Sequence, residues 1–152
     1  MRTEQANFRF PVLGFTADCD VWGLTNLDAL TTCGPRTLKE GLQVGMEFVD
    51  ADGRRWVVRS VEPVGRAGSL LSRLLPLGPA LFRIEHELEA LETLVLSQVQ
   101  ARVCEAMRAH PDFWCEEHER DTILSTRLAE VEGTSTIADI HRVLGLDSFH
   151  AY

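Results

Sequence analysis

Apolar residues recur at helical spacing through the centre of the chain. Residues 80–110 contain neither Gly nor Pro, and nearly all of them are fair or good helix formers. Their apolar positions advance by steps that keep them on one face of an α-helix; these positions are Ile84, Leu88, Leu91, Val95 and Val99. The pattern therefore predicts one long helix over about residues 80–110, with Glu85, Glu89 and Glu92 on another face.

A second pattern, in which apolar and charged residues alternate, predicts a β-hairpin over residues 46–62. The alternation runs on both sides of Asp52-Gly53, a pair that favours a tight turn because glycine adopts positive φ at little cost. A two-stranded ribbon alone is only marginally stable in water. We therefore expect further strands to pair with this hairpin.

Two segments near the amino terminus can supply those strands. Residues 8–15 alternate in character, and Pro11 within them predicts an edge position, because proline has no N–H to give to a sheet. The segment around Val21 and Trp22 is the second candidate. Together these strands predict a small antiparallel sheet in the amino-terminal part, with a curled, barrel-like form as one arrangement.

The carboxyl-terminal part contains further predicted helices. Asp112 can cap a helix that continues to Gly133, and Thr136 with Asp139 three residues later is a capping-box pattern for another. Sheet and connectors thus come first in the chain and helices follow, a segregation typical of an α+β fold. A length of 152 residues with 45% hydrophobic residues suits a single domain with its own core.

Charge divides the chain in the same way. The formal net charge is −8; residues 1–76 carry nine basic and nine acidic side chains, whereas residues 77–152 carry six basic and fourteen acidic ones. Nucleic acids and anionic membranes need a basic footprint, so this distribution argues against both and favours a basic protein as partner. The simpler alternative is an acidic surface that only keeps the protein in solution.

Cysteine usage and the absence of targeting signals bear on the compartment. The four cysteines have no paired spacing, and the sequence contains neither an apolar signal-peptide core nor the roughly eighteen apolar residues that a membrane helix needs. We therefore expect a cytoplasmic protein with reduced thiols. Fourteen of the fifteen basic residues are arginines, which suggests a GC-rich bacterial genome.

The densest group of possible metal ligands is His110, Cys115 and His118. Cys115 and His118 are three residues apart, so a helix would direct both toward one zinc ion. A structural zinc site normally has four ligands with paired spacings. The fourth ligand would have to be one of Cys104, Asp121 and Cys33.

Recognition of another protein is the leading functional hypothesis. The sequence has no nucleophile elbow or other catalytic signature, and we expect no cofactor. Exposed aromatic residues beside acidic ones, as at Trp114, are typical of interface anchors. The predicted partner-binding residues are Glu85, Glu89, Glu92, Asp112, Trp114, Glu116, Glu117 and Glu119.

The most concrete form of this hypothesis is a non-enzymatic bacterial neutraliser of the immunity or antitoxin kind. Its acidic helical half would cover a basic toxin or enzyme, and the opposite potentials would speed association. Two alternatives stay open. One is a small enzyme or zinc protein that uses His110, Cys115 and His118, and the other is an adaptor or chaperone of a secreted protein.

Overall fold

The computed structural model describes residues 1–68, 80–115 and 120–146. Within them, six strands form one antiparallel sheet: β1 (Val12–Phe15), β2 (Val21–Leu24), β3 (Thr32–Cys33), β4 (Glu47–Val49), β5 (Arg55–Arg66) and β6 (Phe82–Leu91). The helices of the same residues are α1 (Thr3–Ala6), α2 (Leu27–Leu30), α3 (Pro35–Lys39), α4 (Leu96–Ala109), α5 (Pro111–Trp114), α6 (Arg120–Glu132) and α7 (Ile137–Val143). The fold is α+β, as predicted.

The sheet is strongly curled. Its strand order is β2-β1-β4-β5-β6-β3, so a flat sheet would hold its edge strands β2 and β3 about 24 Å apart, at roughly 4.8 Å per neighbouring pair. The chain nevertheless passes from β2 to β3 through residues 25–31, four of which form α2. Helical residues advance only about 1.5 Å each, so the two edges must approach one another around α2.

Buried side chains line both faces of the curled sheet, because successive residues of a strand point to opposite faces. The inner face encloses one cluster, which consists of Ala6, Val12, Leu24, Leu30, Met46, Phe48, Trp56, Val58 and Leu88. On the other face β1, β2 and β4 pack against α4, α6 and α7. Val12 and Leu13 are neighbours in β1, yet each is completely buried in a different cluster.

The long helix predicted over residues 80–110 is wrong in its first part. Phe82–Leu91 is the strand β6, which pairs along its length with β5, and α4 begins after it. Ile84, His86 and Leu88 are buried in β6, whereas the glutamates between them point outward. The four-residue spacing of Ile84 and Leu88 is therefore twice the strand period, and not a helical turn.

The hairpin predicted over residues 46–62 is confirmed, since β4 and β5 pair in antiparallel register across the expected turn. The strand predicted over residues 8–15 also joins the sheet as β1, but its predicted edge position is wrong. β1 lies between β2 and β4 and begins at Val12. Pro11 thus precedes the strand and does not need to donate to it.

The helix predicted from Asp112 to Gly133 is interrupted. α5 ends before Cys115, whose backbone is extended with φ −142° and ψ 145°, and α6 is a separate helix. The last predicted helix is confirmed as α7, because the hydroxyl of Thr136 accepts a hydrogen bond from the N–H of Asp139 at 3.0 Å.

β5 and β6 together are called the ribbon below, and the outer half of β5 is its irregular part. Beyond Val58, β5 pairs on one side with β6, and no other described residue extends the sheet on its opposite side. Its register with β6 shifts between Val58 and Ser60 and again between Pro63 and Gly65.

Candidate functional site

An open cleft of about 510 Å³ lies where α1, α2 and the ribbon meet. Its lining residues are Thr3, Glu4, Leu27, Asp28, Thr31, Val64, Arg83, Ile84 and Glu85. The volume falls within the roughly 300–1,000 Å³ that is usual for ligand pockets in proteins. The cleft is therefore the first candidate for a binding site.

Backbone hydrogen bonds to β6 hold the two walls of the cleft in place. The N–H of Leu88 donates to the carbonyl of Met1 at 2.8 Å, and the N–H of Ile84 donates to the carbonyl of Thr31 at 2.9 Å. The first bond fixes the segment that leads into α1, and the second fixes the end of α2. The edge of β6 that faces away from β5 thus supports both walls.

The floor of the cleft is apolar. Ile84 is only 1% exposed, whereas Leu27 and Val64, on different elements, keep 44% and 60% of their surface exposed. Covering such surface stabilises a complex by about 25 cal/mol per Å² of apolar area. An incoming group would therefore find apolar contact here as well as charge.

Carboxylates outnumber cations at the rim. Oδ1 of Asp28 forms an ion pair with Nη1 of Arg83 at 2.9 Å, and Glu85 accepts a hydrogen bond from the N–H of Thr3 at 2.8 Å. Glu4 makes no hydrogen bond or ion pair with another residue of the described part. The lining residues that the structure describes thus contribute three carboxylates and one guanidinium, a formal charge of −2.

A buried polar network holds Thr3 in the wall of the cleft. Oγ1 of Thr3 lies 3.1 Å from Nδ1 of His86, and Nε2 of His86 lies 2.7 Å from Oε1 of Gln43. The amide oxygen of Gln43 only accepts, so Nε2 carries the ring proton and Nδ1 accepts from the Thr3 hydroxyl. Burial lowers the pKa of His86 to about 4, although the charge of Glu85 acts in the opposite direction. The ring is therefore neutral at neutral pH.

A line of carboxylates, here called the carboxylate row, follows the outward face of the ribbon and consists of Glu62, Glu85, Glu87 and Glu89. Arg59 lies 2.7 Å from Glu89, and this hydrogen bond lowers the pKa of the Glu89 carboxyl. Glu87 accepts from the hydroxyl of Ser60 at 3.0 Å, and Arg2 lies 3.2 Å from Glu62. The row is thus ordered by donors and only partly neutralised.

Three of the predicted partner-binding glutamates lie on or beside the sheet and not on a helix. Glu85 lines the cleft, Glu89 belongs to the carboxylate row, and Glu92 is exposed just after β6. The prediction that these three lie on one face of a long helix is therefore wrong. Glu89 and Glu92 are exposed and Glu85 is half-buried.

The other predicted residues lie elsewhere or outside the described residues. Asp112 and Trp114 belong to α5 and do not line the cleft. Trp114 packs against the core cluster between sheet and helices. Its ring contacts the Phe113 ring edge-on, with 4.9 Å between the ring centroids. Trp114 is thus at least partly a packing residue. The predictions for Glu116, Glu117 and Glu119 fall outside the described residues.

Of the four charged residues at the rim of the cleft, the sequence identifies only Glu85 as a partner-binding residue. Glu4, Asp28 and Arg83 come from three distant segments. They meet because the first residues of the chain and the end of α2 both pair with β6. No local pattern in the sequence signals that pairing.

The proposed zinc ligands are not gathered into a site in the described part of the chain. Nε2 of His110 donates to the carbonyl of Asp18 at 2.7 Å, and Cys115 is buried. His118 lies outside the described residues. Among residues 1–68, 80–115 and 120–146, no three His, Cys, Asp or Glu side chains are grouped so that they could hold a metal ion.

Comparison with known proteins finds no protein-family model, no curated protein and no solved structure that matches this chain. The candidate site therefore stands on its own geometry. In the described residues, no helix combines the length and apolar character needed to cross a membrane.

Proposed function

We propose that this chain is a non-enzymatic binding protein that recognises a basic segment of a partner protein at the cleft. The observation that carries the proposal is the combination of an apolar floor with three carboxylates at the rim, Glu4, Asp28 and Glu85; among the described lining residues, Arg83 is the single cation. Lysine and arginine side chains match this combination, because an aliphatic stem precedes their charge.

Long-range charge supports the same proposal. The net charge of −8 attracts a basic protein before contact, and such steering raises the association rate. The carboxylate row extends the acidic surface from the cleft along the ribbon. Donors already hold its carboxylates, so little side-chain ordering is required when a cation arrives.

A basic toxin or enzyme is the partner class that we favour. A neutraliser of the immunity or antitoxin kind works by covering a basic substrate-binding surface. The binding surface in this proposal is the cleft and the ribbon, and not the helical layer.

The test compares two variants with equal net charge. The cleft variant combines Glu4→Gln, Asp28→Asn and Glu85→Gln. The control variant combines Glu105→Gln, Asp121→Asn and Glu132→Gln, which are exposed residues that do not line the cleft. Each variant changes the net charge from −8 to −5.

Tagged wild-type protein and both variants are used to capture partners from the native cell at low and high salt. We expect a basic protein that wild type and control retain at low salt and that the cleft variant loses. Equal loss from both variants would mean that only net charge matters, and equal retention would exclude the cleft. If wild type retains no basic protein at any salt concentration, the proposed function is wrong.

A further inference from the structure

Arg83 is a resident cation in the cleft, and it is held toward one wall. Its Nη1 forms an ion pair with Oδ1 of Asp28 at 2.9 Å and donates a hydrogen bond to the hydroxyl of Thr31 at 3.0 Å, both at the α2 side. The α2 wall therefore carries an internally balanced pair. At the α1 side Glu4 and Glu85 stand without a basic side chain bonded to either of them among the described residues.

We propose that the cleft takes one arginine or lysine side chain of the partner, with its cationic head at Glu4 and Glu85 and an apolar neighbouring residue against Leu27 and Val64. This inference rests on the proposed function, because it names the chemical group that the partner inserts. Arg83 acts as a positioning residue: it repels a second cation from the α2 wall and so directs the head toward α1.

The apolar part of the cleft sets the second requirement. Leu27 and Val64 are two of the few large apolar side chains that remain more than 40% exposed in the described residues. A cation alone would leave them in water, whereas a leucine beside the cationic residue would cover them. The cleft should therefore prefer a cation within an apolar segment to a small free cation.

The probe is a capped peptide with a central Leu-Arg-Leu unit between Gly-Ser flanks. Its binding to the full chain is measured by isothermal titration calorimetry at low salt. Citrulline in place of arginine keeps the shape and removes the charge, Ala-Arg-Ala removes the apolar neighbours, and n-butylguanidinium represents the free cation. We expect each of these three to bind about tenfold or more weakly than the parent peptide.

A double-mutant cycle tests the role of Arg83. Asp28→Asn should weaken peptide binding several-fold, because Arg83 then faces the ligand without its counter-ion. Arg83→Gln should strengthen binding, because Asp28 is released to the ligand, and the affinity of the double variant should be near that of wild type.

Glu4→Gln with Glu85→Gln should weaken binding about tenfold. Glu105→Gln with Glu132→Gln is the control and should change little, because both residues are exposed away from the cleft.

The outcomes separate this inference from the proposed function. Equal binding of the arginine and citrulline peptides, or weaker binding after Arg83→Gln in a variant whose thermal unfolding matches wild type, overturns the inference. If n-butylguanidinium binds as tightly as the peptide, the apolar requirement is wrong. If no peptide binds but the cleft variant still loses a basic cellular partner, the single-side-chain inference fails and the proposed function stands.

Discussion

The hydroxyl of Thr3 and the imidazole of His86 form a reciprocal pair inside the curled sheet. Oγ1 of Thr3 accepts from the backbone N–H of His86 at 3.0 Å and lies 3.1 Å from its Nδ1. Thr3 and His86 are 83 positions apart in the chain, and both are 1% exposed or less. This pair fastens α1 to β6 and so holds one wall of the cleft.

The stability of the protein should decrease as the pH falls through the range of His86 titration. The pKa of His86 is about 4 in the folded protein and 6.5 when unperturbed, so the unfolded chain binds the extra proton between these values. The contribution of neutral His86 to the free energy of unfolding is fully present above about pH 6.5 and is lost as the pH falls to about 4, by roughly 3 kcal/mol in total. Urea unfolding at several pH values measures this loss.

The variant His86→Gln is the reference for that measurement, because carboxylates also titrate in this range. The difference in unfolding free energy between wild type and the variant should shrink by roughly 3 kcal/mol from pH 7 to pH 4. A difference that does not depend on pH would show that His86 is not held neutral by burial.

Thr3→Val should destabilise the protein by about 2 kcal/mol. The substitution keeps the shape of the side chain but leaves Nδ1 and the N–H of His86 buried without their partner. Chemical unfolding gives the free energy, and Thr126→Val serves as the control because Thr126 is exposed on α6. Similar losses in the two variants would contradict a special role for Thr3.

Asp50→Asn should destabilise the protein by about 3 kcal/mol. The carboxylate of Asp50 is completely buried and accepts hydrogen bonds from the N–H groups of Arg9, Asp52 and Arg54. It also pairs with the guanidinium of Arg54 at 2.7 Å. Arg54 is 37% exposed and stays solvated in the variant, so the cost arises at position 50 itself. Asparagine keeps one acceptor oxygen but turns an NH₂ group toward N–H donors that the second carboxylate oxygen had accepted.

The matched control for Asp50 is Asp52→Asn on the same turn. Asp52 lies 3.3 Å from Arg9, and both side chains are more than half exposed. Asp52→Asn should therefore lower the free energy of unfolding by less than about 1 kcal/mol. Both variants are compared by urea unfolding. Equal effects would mean that turn sequence, and not the buried carboxylate, determines the stability of this region.

Gly23→Ala should loosen the segment that follows α7. A Cβ at Gly23 would overlap with Leu146 and would lie 2.6 Å from Nε2 of His141. The substitution should lower the free energy of unfolding by about 2 kcal/mol. It should also speed amide hydrogen exchange more in α7 than in β2. Gly133→Ala is a milder comparison, since its Cβ would come no closer than 3.3 Å to the carbonyl of Ala129. Unchanged exchange in α7 would contradict this packing.

β6 illustrates where the sequence admits two interpretations. Its glutamates, leucines and alanine are good helix formers, and Ile84 and Leu88 satisfy both a helical spacing and a strand spacing. The strict alternation from Arg83 to Glu89 was a strand signal of equal quality. Pairing with β5 over ten positions decided between them, and that contact is not local.

The sequence also does not indicate where β6 ends and α4 begins, because no Gly or Pro lies between them. A tertiary contact holds it: the N–H of Leu94 donates to the carbonyl of Gly53 at 2.9 Å. Gly53 has φ +79°, and a Cβ there would collide with the carbonyl of Leu94. The same glycine that makes the hairpin predictable therefore also anchors the segment between β6 and α4, and only the first of these roles has a local pattern.

The irregular outer half of β5 also affects how copies of this protein behave toward each other. A straight, unpaired strand would invite a neighbouring chain to add to it and start ordered aggregation. Pro63 removes one donor from that edge, and the two register shifts that flank residues 60–63 bend it. The interruptions that make β5 an imperfect strand thus make this edge a poor template for the addition of a second chain.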